Sequence, residues 1–106
     1  MREDWQRRVA AFAQKHDLLH RPAIHALDLT AELGEVVKEI LLATDYGRRD
    51  PIARSELTGE IGDTLYSLLA LAEACQVDAG AALEAALAKY ERRLAERGNA
   101  GSGVET

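Results

Sequence analysis

Apolar residues recur at helical spacing in four segments of this chain, and nowhere in strict alternation. That pattern admits helices packed on helices and offers nothing from which to build a sheet. The first segment, about residues 2–16, carries Trp5, Val9 and Phe12, with Arg7, Arg8 and Lys15 turned away from them. A break follows at 16–22, where Pro22 disfavours helix at Arg21 and can itself open the next helix. The second helix is expected over about 23–44, with Leu29, Leu33, Val36, Val37 and Ile40 as its stripe. Gly, Pro and Asp mark 45–51 as a loop. The third helix is expected over about 52–76, burying Leu57, Ile61, Leu65, Leu68 and Ala72. Asp78 suits the N-cap of a last helix, in which Leu83, Leu87, Tyr90 and Leu94 follow at the spacing of a packing seam. Leu and Ala supply most of the apolar content, which also favours helix. The expected fold is all-α, an antiparallel four-helix bundle over residues 1–97. Residues 98–106, with three glycines, are expected to form a disordered tail.

A chain of 106 residues is one domain with a thin core. Burying more surface against a second copy would help, so self-association is expected. A net charge of −5 argues against a nucleic-acid binder, which shows a basic stripe. It leaves room for a nucleotide substrate, because a metal ion can invert the local field. Cys75 is the only cysteine, so no intrachain disulfide forms; the residue reads as a small core side chain. The N-terminal stretch MREDWQRR is charged and has no apolar run behind it, and the run at 65–72 is too short to span a bilayer. A cytoplasmic location is expected.

Two acidic pairs carry the chemistry. Glu32 and Glu35 lie in AELGEVVKEI, and Glu60 and Asp63 in GEIGDTLYSLL. The i, i+3 spacing sets both carboxylates of a pair on one side of a helix, about one turn apart. If the two helices pack together, four carboxylates converge and repel one another unless a hard cation such as Mg²⁺ neutralises them. Solvated acidic faces account for the same spacing. Glu39 borders the same apolar stripe and could substitute as ligand or base. Gly34, Gly59 and Gly62 read as places of close approach by a helix or a ligand. Lys38, Arg48, Arg49, Lys89, Arg92 and Arg93 are candidate partners for a phosphate chain. Trp5 reads first as a core anchor and second as a platform for a nucleobase; Tyr66 fits a core or a base pocket equally.

The succession ELGE, then about two dozen residues, then EIGD followed by LYSLLALA, resembles the MazG-like nucleotide pyrophosphohydrolases of the all-α NTP pyrophosphatase superfamily. The likeness extends to His20-Arg21-Pro22, to Thr44-Asp45-Tyr46-Gly47 and to Lys89-Tyr90-Glu91-Arg92-Arg93, covering about residues 5–97. It implies a helical core assembled as a dimer or dimer of dimers. It implies Mg²⁺, with Mn²⁺ as a substitute, held by Glu32, Glu35, Glu60 and Asp63. It implies hydrolysis of a nucleoside triphosphate to the monophosphate and pyrophosphate.

On that reading Glu35 is the candidate general base, Lys89 and Arg92 neutralise phosphates, and Trp5, His20 and Tyr66 are candidates for the base pocket. House-cleaning of non-standard or deoxynucleotides would suit such an enzyme. Two alternatives stand beside it. One is a phosphoribosyl-ATP pyrophosphohydrolase-like enzyme, against which Ile61-Gly62 between the second pair of acids speaks. The other is a non-catalytic helical module that binds nucleotide or a partner.

Overall fold

The computed structural model describes residues 2–98 and 100–101, with side chains from residue 4 onwards. The chain folds as four helices, α1 (Arg2–Lys15), α2 (Pro22–Ala43), α3 (Ser55–Ala74) and α4 (Ala79–Arg97). No strand occurs among the described residues, so the expected all-α bundle is the architecture.

The punctuation behaves as local chemistry requires. Pro22 sits in the first turn of α2, behind an extended Arg21. The Asp78 carboxylate accepts from the Ala81 N–H at 3.0 Å and caps α4. Gly98, left-handed at φ 79°, closes α4 by donating its N–H to the Leu94 carbonyl. The third helix starts at Ser55 rather than near 52. Arg54 is extended, and the Ile52 N–H donates to the Ala43 carbonyl at 2.9 Å, so this segment is tied to the end of α2 instead of coiling.

α2 and α3 form an antiparallel hairpin with the widest interface in the chain. α1 packs on α3, with Phe12 edge-on to Tyr66 at 6.1 Å between ring centroids. α4 packs chiefly on α1. Gln6 fastens the turn between α3 and α4 to α1. Its Nε2 donates to Glu73 Oε1 (3.1 Å) and to the Val77 carbonyl (2.9 Å), and its Oε1 accepts from the Ala79 N–H (2.8 Å).

The core is smaller than the apolar stripes suggest. Among the described residues only Ala13, Ala43, Leu69 and Ala70 are buried apolar side chains. Several expected core residues are exposed: Leu33, Val37 and Ile40 on α2, Ile61 and Leu68 on α3, and the whole seam of α4. Trp5, expected first as a core anchor, is 51% exposed. The reason is geometric: each helix meets one or two neighbours, and a helix in a two-way contact covers only part of its stripe. The radius of gyration is 16.7 Å, against roughly 13 Å for a compact chain of this length.

Two further expectations are corrected. Cys75 is exposed, because the apolar run ends at Ala74 and Cys75 caps the helix just before Gln76 turns left-handed (φ 58°). Gly34, Gly59 and Gly62 do not mark close contacts within the chain, since a Cβ built on any of them meets nothing within 4 Å. The tail expected to be disordered lies largely outside the described residues. Of it, the Ala100 and Gly101 carbonyls accept from Arg93, the latter at 2.8 Å.

Candidate metal centre

The antiparallel hairpin pairs early α2 with late α3 and late α2 with early α3. Glu32 therefore faces Glu60 and Asp63, and Glu39 faces Arg54. Glu32, Glu60 and Asp63 each present one carboxylate oxygen within 4.8 Å of the others. Glu32 and Glu60 are half-buried and Asp63 is exposed, so the cluster opens to water on one side. Three hard oxygen donors at this spacing, with no nitrogen or sulfur among them, fit Mg²⁺ or Mn²⁺. Burial first, then the charges of Glu35, Asp63, Glu32 and Glu39, raise the Glu60 carboxyl above its ordinary value.

Glu35 adjoins the three, its charge being the foremost one acting on Glu60, and it also has a basic partner of its own. Its Oε1 is 3.1 Å from Lys38 Nζ, one turn further along α2. The hydrogen bond and charge of Glu35, followed by the charges of Glu39 and Glu60, raise the Lys38 ammonium above its ordinary value against a smaller desolvation effect.

Glu39 is buried and accepts from Arg54 Nε at 2.7 Å. That hydrogen bond is the largest cause of a raised Arg54 guanidinium. Glu39 is thus committed to closing the hairpin. Sequence reasoning named Glu39 but missed Arg54, because a partner 15 residues away across a loop leaves no periodic signal.

A groove of about 630 Å³ runs between α1 and α3, lined by Trp5, Arg8, Phe12, Gly62, Leu65 and Tyr66 among others. Tyr66 lies one turn beyond Asp63, so the groove adjoins the cluster. The Tyr66 hydroxyl is buried without a hydrogen-bond partner among the described residues. Trp5 and Tyr66 therefore share one cavity with Phe12. Arg8, expected to turn away from Trp5 and Phe12, lines it too, because it follows the one by three residues and precedes the other by four.

His20 is elsewhere. It precedes α2, about 15 Å along the helix from Glu32. Its backbone N–H donates to Nε2 of the buried His25 at 3.0 Å, and the two rings stand 5.4 Å apart. Lys89 and Arg92 lie on α4, and among the described residues no ion pair joins either to the cluster. Lys89 Nζ instead sits 5.3 Å from the Tyr90 ring centroid. No described helix is long and apolar enough to cross a membrane.

Comparison with known proteins bears on the same hairpin. Residues 22–98 match the family model of the MazG nucleotide pyrophosphohydrolase domain, a span that takes in α2, α3 and α4 and leaves α1 outside. No curated protein and no solved structure gives a match.

Proposed function

The chain belongs to the MazG nucleotide pyrophosphohydrolase domain family, which is generally divalent-metal dependent, and from that premise we propose that it is a Mg²⁺-dependent nucleoside triphosphate pyrophosphohydrolase. Its products are the nucleoside monophosphate and pyrophosphate, and its role is removal of non-standard or deoxynucleotides in the cytoplasm. The observation that carries the reading is the convergence of Glu32, Glu60 and Asp63 across the α2–α3 hairpin.

Glu32, Glu60 and Asp63 would hold the ion, with Glu35 as fourth ligand or as the carboxylate that orients the attacking water and takes its proton. A divalent ion there supplies charge to stabilise the phosphate chain and makes water a better nucleophile. Attack on phosphorus breaks the anhydride bond and pyrophosphate leaves. The α1–α3 groove takes the base, where Trp5 offers a stacking face and the Tyr66 hydroxyl a hydrogen-bond partner. Lys89 and Arg92 neutralise the phosphates in the assembled protein, and His20 stays at the entry to α2, where its backbone N–H donates to His25.

The assembly is a homodimer or homotetramer. The accessible surface of one chain is 7843 Å², against roughly 5,800 Å² for a compact monomer of this mass. The excess, roughly 2,000 Å², is more than the roughly 800 Å² that one partner buries in an interface of standard size.

A panel of nucleoside triphosphates, assayed with Mg²⁺, with Mn²⁺ and with a chelator, tests the reading. Metal-dependent monophosphate and pyrophosphate are expected. Diphosphate and orthophosphate as products would overturn the assigned bond, and metal-dependent nucleotide binding without release would make the protein a sensor.

A further inference from the structure

The four acidic residues of the site are not equivalent. Glu32, Glu60 and Asp63 face one another, while Glu35, which adjoins Glu60, is paired with Lys38 at 3.1 Å. The other cation near the cluster, Arg54, is committed to buried Glu39. Lys38 is not so committed. Its side chain is 57% exposed and that of Glu35 46%, and an ion pair this open is weak and exchanges readily. Its ammonium pairs with Glu35, the carboxylate that adjoins Glu60, so it stands at the edge of the acidic cluster. A lysine suits such a part, being a compact charge on a flexible stem that can move between partners.

Resting on the pyrophosphohydrolase reading above, we propose that Lys38 is a displaceable counter-ion of the site. It holds Glu35 while no divalent cation is bound. It yields Glu35 to an incoming cation, and its freed ammonium then contacts the phosphate chain of the substrate. The same positive charge thus opposes metal binding and favours nucleotide binding, two effects of opposite sign from one side chain.

The test uses the full chain, with Lys38→Met to remove the charge at similar length and Lys38→Arg to retain it. Calorimetric titration of Mn²⁺ without nucleotide should show roughly three- to tenfold tighter binding for Lys38→Met, since a competing cation is gone. In steady-state assays at saturating metal, KM for the triphosphate should rise about tenfold with kcat little changed. Lys38→Arg should stay near wild type in both. Mn²⁺ binding by Lys38→Met that is equal to wild type or weaker would overturn the counter-ion role. Tighter metal binding with an unchanged KM would overturn the phosphate contact. Mn²⁺ binding by the wild-type chain without pyrophosphate release would overturn the enzymatic reading alone, and the titration would still decide the role of Lys38.

Discussion

The α2–α3 hairpin and the α4 arm are both Leu-rich helical units, yet they are held in different ways. The hairpin is closed by its own residues: the buried Glu39 on Arg54, and the Ile52 N–H on the Ala43 carbonyl. Thr44 adds two bonds at its bend, donating from Oγ1 to the Ile40 carbonyl and accepting from the Gly47 N–H. α4 depends on α1 and on one amide side chain, that of Gln6. Its seam of Leu83, Leu87, Tyr90 and Leu94 is about half exposed. The difference separates two tasks. The hairpin brings the carboxylates of Glu32, Glu60 and Asp63 together within one chain, which is what a candidate metal centre needs. An apolar seam left open suits a surface completed by assembly.

The largest expected effect falls on the hairpin. Glu60→Gln should lower metal-dependent turnover by more than about a hundredfold, beyond the loss typical of an outer-shell partner. The same variant should melt higher than wild type without metal at neutral pH. The sign follows from linkage. A carboxyl raised in the folded state above its ordinary value contributes stability at low pH that is lost as pH rises through the folded value. Melting curves at pH 5 and pH 8 should therefore converge in the variant; an unchanged slope would show that Glu60 is not under strain.

Next comes the arm. Leu87→Asp places a charge in the centre of the exposed seam. Sedimentation should shift to monomer while helix content stays constant. A monomeric wild type would remove the contrast between the two regions.

A smaller effect is expected at the hinge of the hairpin. Glu39→Gln keeps the shape and loses a charge-assisted hydrogen bond, at a cost of about 1–3 kcal/mol. Thermal melts should record a fall of several degrees, while Mn²⁺ affinity changes less than in Glu60→Gln. A larger loss of metal binding than of stability would make Glu39 a ligand after all.

The smallest effect should come from Gln6→Ala, which costs about 1 kcal/mol because water takes over most of its exposed bonds. Hydrogen exchange should quicken at 77–82 and stay unchanged at 32–43. Equal quickening in both would mean that arm and hairpin form one cooperative unit.

The sequence by itself determined the four helices, the Pro22 entry and the Asp78 cap. It also determined that each acidic pair occupies one face. All of these follow from interactions within a few residues, where helical geometry is fixed and periodic. Only the tertiary structure decided which carboxylates meet. It joined Glu32 to Glu60 and Asp63, and buried Glu39 against Arg54. It also left Trp5, Cys75 and the α4 seam outside a core that their apolar character alone would have assigned them to. Periodicity states which side of a helix is apolar; how much of that side is covered depends on the angle and number of its neighbours, and those are properties of the packed chain.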